Sequence, residues 1–147
     1  MILYLDTSAL VKVYVEEAHT EQVRNWVDEA TVVATSVVAY AEASAAFARK
    51  RREGGLGPED LEQVLAALDR DWGDYAVLEV RERVAGALAV KHGLRGFDAI
   101  HLAAALELKS EAVETIVALC AFDERLVTAA KTEGCSLLGP QNGTGET

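Results

Sequence analysis

The chain begins with the stretch MILYLDTS, residues 1–8, and this stretch predicts how the fold starts. Ile2 to Leu5 is a short apolar run of the kind that forms a buried β-strand. Asp6 ends the run, and the side chains of residues 6–8 are those that cap the start of a helix. The order strand, cap, helix is therefore expected from the first residues onward.

The same alternation continues along the chain. Further strands are predicted at residues 31–35, 75–80, 115–121 and 136–138. Helices are predicted at residues 7–17, 20–29, 37–52, 58–73, 81–92, 98–109 and 123–133. Strands joined by helical crossovers predict an α/β fold with a mostly parallel sheet and helices on both faces. We expect one domain over residues 1–138 and a disordered Gly- and Thr-rich tail over residues 139–147.

Four carboxylates stand in apolar surroundings, where an ionised carboxylate is costly unless something pairs with it. Asp6 and Asp123 follow predicted strands, Glu42 is the only charge in residues 37–48, and Asp98 opens an apolar helix. Since ligands of parallel sheets bind beyond the carboxyl ends of the strands, these acids are expected at one edge of the sheet. The nearby basic residues are too few to pair with all four. The pattern therefore indicates a divalent metal ion, Mg²⁺ or Mn²⁺ by its oxygen ligands.

Composition limits the class of protein. The formal net charge of −10 argues against broad capture of nucleic acid, although a metal ion can reverse the sign of an acidic site in a nuclease. No apolar stretch reaches the roughly 18 residues of a membrane span, and the amino terminus lacks the basic region of a signal peptide. Cys120 and Cys135 fit reduced thiols better than a disulfide framework. A cytoplasmic protein without membrane attachment is expected.

Several common site motifs are missing from the sequence. A phosphatase of the haloacid dehalogenase type needs Asp-x-Asp-x-Thr after its first strand, and Ser8 occupies the place of the second Asp. No glycine-rich dinucleotide motif or Walker motif follows a strand. The three histidines do not have zinc-binding spacing. The carboxylates therefore remain the strongest candidates for chemistry.

Four segments, in order, resemble a PIN domain, and more narrowly the VapC toxins of bacterial type II toxin–antitoxin pairs. They are YLDTSAL at residues 4–10, SVVAYAE at 36–42, GFDAIHLAAA at 96–105 and FDERL at 122–126. The resemblance covers residues 2–138. It implies a three-layer α/β/α sandwich, a metal-dependent endoribonuclease, a homodimer, and a cognate antitoxin with a basic tail.

The resemblance also implies roles for single residues. The three most regular acids of the family correspond to Asp6, Glu42 and Asp98, and the more variable fourth acid corresponds to Asp123. We expect Asp6 to be the central metal ligand, with Asp98 beside it. The other two acids would bind the metal through water or orient the nucleophile. The hydroxyl that follows the first acid corresponds to Thr7 or Ser8.

Most of these residues also have a purely structural explanation. Asp6 and Asp123 suit helix N-caps, and Asp98 suits a helix start, where the dipole favours an acid. Glu42 lacks such an explanation. Ser36 fits a cap, and His101, on the helix face of Asp98, fits a supporting or packing role.

Two basic features and one apolar helix remain open to more than one interpretation. Arg95 fits a phosphate contact and a surface residue equally, and the run at residues 49–52 fits a solvated helix end or an RNA contact. The helix over residues 37–48 is apolar on more than one face, which predicts a dimer interface there and at residues 61–68.

The sequence thus predicts a metal-dependent endoribonuclease that acts as a toxin by blocking translation. The alternatives are a catalytically silent PIN-like binding domain and a housekeeping RNA-processing nuclease. The presence of all four acids favours the enzyme.

Overall fold

The computed structural model describes residues 1–140, and a parallel sheet runs through its centre. The strands are β1 (Ile2–Leu5), β2 (Val32–Ser36), β3 (Ala76–Leu78), β4 (Val117–Cys120) and β5 (Ser136–Leu138). Their order across the sheet is β3-β2-β1-β4-β5, and every pairing between neighbours is parallel. The prediction of a mostly parallel central sheet is therefore confirmed.

Helices cover both faces of the sheet. They are α1 (Thr7–Tyr14), α2 (Thr20–Glu29), α3 (Ala39–Arg52), α4 (Pro58–Trp72), α5 (Glu82–His92), α6 (Gly96–Glu111) and α7 (Glu124–Thr132). The first four pack on one face and the last three on the other, each group around its own buried apolar cluster. The architecture is the predicted three-layer α/β/α sandwich. Among residues 1–140, no helix has both the length and the apolar character needed to cross a membrane.

Side chains of β1 contribute to both cores, as the two-residue period of a strand requires. Leu3 and Leu5 are fully buried in the cluster under α1 to α4. Tyr4 is fully buried in the opposite cluster, under α5 to α7. β1 lies at the centre of the sheet and is buried on both faces. It therefore holds the next residue, Asp6, in a fixed position.

The strand order places a ligand-binding crevice at a definite point. From β1 the chain moves to β2 on one side, whereas β4 lies on the other side, so the connections diverge between β1 and β4. A crevice beyond the carboxyl ends of the strands at such a point is where α/β sheets bind ligands. Asp6 follows β1, and its N–H donates to the Cys120 carbonyl at the end of β4 (3.2 Å).

The observed elements differ from the predicted ones mainly at their ends. α1 ends at Tyr14 instead of near residue 17. α3 begins at Ala39, because the Val37 N–H extends the sheet by donating to the Leu78 carbonyl (2.9 Å). Ser36 accepts from the Val38 N–H (3.3 Å), a local turn contact. Of the predicted disordered tail, residues 141–147 lie outside the described part of the chain.

The helices proposed as a dimer interface are used partly by the core itself. Phe47 of α3 and Leu68 of α4 are fully buried within the chain and are not available to a partner. Exposed large apolar side chains include Val37, inside the predicted interface, as well as Val84, Val90 and Phe97 on the opposite side of the sheet. Dimerisation and the surface that would carry it stay predictions.

Candidate active site

Asp6 is the most buried of the four candidate acids, with 3% of its surface exposed. Its Oδ1 accepts from the Ala9 N–H (2.8 Å) and from the Ser8 hydroxyl (2.8 Å), so Asp6 is an N-cap. Burial raises the pKa of Asp6, and the Asp98 carboxylate adds to this, whereas His101 and the two hydrogen bonds oppose it. The hydrogen bonds described for this side chain all end on Oδ1, which leaves Oδ2 for a cation. The cap and the candidate ligand are therefore the same residue.

Glu42 is held by a chain of hydrogen bonds that starts in the core. The Thr7 hydroxyl donates to Glu42 Oε1 (2.5 Å), and His101 Nε2 lies 3.1 Å from the same oxygen and 2.9 Å from Thr7 Oγ1. Tyr4 Oη lies 2.8 Å from His101 Nδ1. Because the single Thr7 proton goes to Glu42, we assign a proton to His101 Nε2, which then donates to Glu42 Oε1.

These contacts lower the pKa of Glu42. Burial alone would raise the pKa of the carboxyl group, but the hydrogen bonds from His101 and Thr7 outweigh it, and the pKa of Glu42 is lowered. The His101 ring is itself 1% exposed, so it is fixed by the core and not by solvent. Glu42 is consequently an ionised carboxylate with a fixed orientation.

Asp98 and Asp123 share one cation, Arg95. Arg95 Nε lies 3.4 Å from Asp98 Oδ2, and Arg95 Nη2 lies 3.6 Å from Asp123 Oδ2. Asp123 also caps α7, with Oδ1 accepting from the Leu126 N–H (3.1 Å). The pKa of Asp98 is raised by burial and by Asp123, and Arg95 acts in the opposite direction. The guanidinium thus lies where two carboxylates repel each other.

Charge interactions link Asp6 to Asp98 and Asp98 to Asp123, but the four acids do not form a finished ligand sphere. In the part of the chain that the structure describes, no group of three or more His, Cys, Asp or Glu side chains is arranged to hold a metal ion. Glu42 Oε1 contacts Thr7 and His101, and Arg95 lies within 4 Å of both Asp98 and Asp123. The donor set still has the all-oxygen chemistry of a hard divalent ion. The metal site stays a prediction.

A cleft of about 560 Å³ opens beside these residues, between α1 and α3. Thr7, Ser8 and Glu42 line it at the end nearest the acids. The cationic side chains of Arg49, Lys50, Arg52 and Arg95 line it too, as does Glu17, which pairs with Lys50. The cleft therefore combines cationic side chains with the residues around Glu42.

Sequence reasoning singled out the acids but missed Tyr4 and did not anticipate the double contact of Arg95. One signal for Tyr4 was available: it lies in a buried strand, two residues before Asp6, and a buried tyrosine hydroxyl needs a partner. His101, three residues after Asp98, was the available partner. The sequence predicts a supporting or packing role for His101, and the structure places its Nε2 3.1 Å from Glu42 Oε1.

Comparison with solved structures gives the same fold. The chain superposes on FitAcB from Neisseria gonorrhoeae with a TM-score of 0.65 and 19% identity, over 96% of this chain and 99% of that one. It superposes on VapBC2 from Rickettsia felis, solved with a DNA fragment from its promoter, with a TM-score of 0.62 and 13% identity, over 95% and 98%.

Sequence comparison adds the family. The sequence matches the PIN domain over residues 3–132. Ribonuclease VapC45 from Mycobacterium tuberculosis is 34% identical over 147 residues, which covers 95% of this chain and 96% of the relative. Ribonuclease VapC46 from the same species is 34% identical over 138 residues, 94% and 97% of the two chains. The chain therefore belongs to the PIN domain family, and its relatives within that family are the proteins named ribonuclease VapC.

Proposed function

We propose that this chain is an endoribonuclease that hydrolyses RNA phosphodiester bonds with Mg²⁺ or Mn²⁺. We further propose that it is the toxin of a toxin–antitoxin pair and blocks translation. The observation that carries the enzymatic part is the buried Asp6 carboxylate, held by two hydrogen bonds at the carboxyl end of the central strand beside Asp98. The names of the relatives support RNA as the substrate.

The proposed roles follow from the contacts. Asp6 and Asp98 would hold the metal ion, with Glu42 and Asp123 as further or water-mediated ligands. Once bound, such an ion supplies charge neutralisation on the phosphate and a lower pKa for a bound water. Ser8 and the Ala9 N–H keep the Asp6 carboxylate in one orientation. Hydrogen bonds from Thr7 and His101 lower the pKa of Glu42 and hold its carboxylate in one orientation. A carboxylate held in this way is suited to orient an attacking water.

In this proposal Arg95 also contacts the phosphate of the substrate. Its side chain is 79% exposed, so it is free to turn from the two aspartates toward a phosphate oxygen. Arginine suits that contact because its planar group offers several donors in fixed geometry.

The test is metal-dependent RNA cleavage by the purified chain. We expect cleavage with Mn²⁺ or Mg²⁺ and none in EDTA. Asp6→Asn and Asp98→Asn should each abolish cleavage without unfolding the chain, whereas Asp28→Asn, an exposed acid on α2, should cleave like wild type. Cleavage that survives both site substitutions would remove the basis of the proposal.

One observation favours the alternative of a catalytically silent binding domain: three acidic ligands are not gathered around one point in residues 1–140. The same assay separates the two functions. A chain that binds RNA or an antitoxin but never cleaves RNA under any divalent ion is the silent domain. A chain that cleaves RNA yet does not arrest growth when expressed alone is a housekeeping nuclease.

We also propose an antitoxin partner that inserts a basic side chain among the acids. Asp98 and Asp123 already accept one guanidinium, that of Arg95, so a second arginine from a partner has a matching surface. Co-expression of a cognate antitoxin should restore growth, and Asp98→Asn should weaken the complex. A complex that is indifferent to Asp98→Asn contradicts this mode of inhibition.

A further inference from the structure

Three arginines at the end of α3 have no acidic partner among the described residues, although the chain carries 24 acidic residues. Within residues 1–140, Arg49, Arg51 and Arg52 make no salt bridge with an acid. Lys50, between them, does, to Glu17 at 2.7 Å. Cations are favoured at the last turn of a helix by its dipole, and this explains all three arginines equally.

The dipole does not explain which way these arginines face. Arg49 and Arg52 line the cleft that ends at Thr7, Ser8 and Glu42, and Arg51 does not. Residues 42, 45, 46, 49 and 52 follow the 3.6-residue period of a helix, so they form one stripe along α3. At 1.5 Å per residue, Arg49 lies about 10 Å and Arg52 about 15 Å from Glu42 along the axis.

The middle of this stripe is small and the end is cationic. Ala45 and Ala46 lie between Glu42 and Arg49 and line the same cleft. Small side chains let a ligand approach the helix closely, and free guanidinium groups beyond them suit phosphate oxygens. In a chain of net charge −10, a polyanion is attracted only where cations are concentrated locally.

We propose that the stripe from Glu42 to Arg52 is the track for the RNA strand next to the scissile phosphate, with Arg49 and Arg52 each contacting a phosphate. This inference rests on the proposed function and extends it by naming the binding site of the flanking strand. A protein partner with a basic tail fits this part of the cleft poorly, because the two arginines repel it.

The test measures binding apart from cleavage. The chain with Asp6→Asn and Asp98→Asn carries two fewer acidic charges at the site and should not cleave, so its affinity for a fluorescent single-stranded RNA can be followed by anisotropy at several salt concentrations. Into this chain we would introduce Arg49→Gln, Arg52→Gln or, as the matched control, Arg51→Gln. The control removes the same charge from the same helix end but not from the cleft. Thermal melts check that each variant is folded.

We expect Arg49→Gln and Arg52→Gln each to weaken RNA binding about fivefold. Each should also lower the slope of log K against log salt by about 0.7, the value for one phosphate contact on a single strand. In the cleaving chain the same two substitutions should raise KM with little change in kcat. Arg51→Gln should leave the salt slope and KM near those of the parent.

Two results would overturn the track. One is that Arg51→Gln weakens RNA binding as much as the other two, since the effect would then be general electrostatics. The other is that Arg49→Gln and Arg52→Gln leave RNA binding intact but weaken antitoxin capture, which would make the cleft a protein-docking surface. If the chain never cleaves RNA but loses RNA affinity only with Arg49 and Arg52 changed, the proposed nuclease fails while the track stands.

Discussion

Replacing Asp6 by Asn removes one charge and changes the shape of the side chain very little. The substitution therefore measures how much the buried, ionised carboxylate lowers the stability of the folded chain. The Asn Oδ1 can still accept from the Ala9 N–H and the Ser8 hydroxyl, and the cap of α1 is kept. The raised pKa of Asp6 means that the folded chain disfavours the ionised carboxylate. Each pKa unit of that rise corresponds to about 1.4 kcal/mol. In EDTA at neutral pH, Asp6→Asn should therefore melt at a higher temperature than wild type.

The pH dependence of this difference has a definite sign. Between the ordinary carboxyl pKa of 3.8 and the raised value, the folded wild type binds more protons than the unfolded chain, so its stability falls as the pH rises through that interval. Asp6→Asn has no carboxyl group at this position, so its stability does not fall with pH for this reason. The advantage of the variant in EDTA should be largest at neutral pH and should disappear below about pH 3.8.

A bound metal ion should reverse the ranking. An ion that binds only the folded chain stabilises it by about 2.7 kcal/mol at a hundredfold excess over Kd. For a domain of this size that corresponds to a rise in Tm of about 5–11 °C. Wild type and the exposed-acid control Asp28→Asn should show this rise with millimolar Mn²⁺, and Asp6→Asn should lose most of it. Equal responses of wild type and Asp6→Asn, measured by differential scanning fluorimetry, would refute the assignment of Asp6 as a metal ligand.

Three further predictions concern neighbouring features. Tyr4→Phe leaves Nδ1 of the buried His101 without its partner, so we expect a loss of about 1–3 kcal/mol in urea unfolding, and an unchanged midpoint would contradict this. Arg95→Gln removes the cation between Asp98 and Asp123, so Mn²⁺ should bind more tightly in calorimetric titration; weaker binding would show that Arg95 helps to build the site. Light scattering at micromolar concentration should give twice the chain mass of 15.8 kDa, and a mass of one chain would contradict the predicted dimer.

The parts of the fold that were predicted correctly are those decided by neighbouring residues. A short apolar run followed by a capping Asp identified β1 and the start of α1. The end of α1 was misplaced because residues 16 and 17 look helical in isolation. In the structure Glu17 instead pairs with Lys12 and Lys50, and Thr20 Oγ1 donates to the Val15 carbonyl (3.0 Å). One of those partners lies on α3, beyond the reach of a local pattern.

The candidate site divides in the same way. Each acid was recognisable because its own surroundings are apolar, which is a local property. The contacts that orient the acids join distant parts of the chain: Tyr4 and His101 are 97 residues apart, and Thr7 and Glu42 are 35 apart. Such pairings follow from the strand order, which the sequence pattern did not specify.

The position of β1 at the centre of the sheet has a consequence for synthesis. Ile2 pairs with Val32 on one side but with Val117 on the other, so β1 gains its second neighbour only after a much later segment of the chain has been made. Asp6 is made early, and its neighbours Asp98 and Asp123 come only after most of the chain has been translated. A nascent chain therefore carries no assembled acid cluster, and a truncated product would be without it as well.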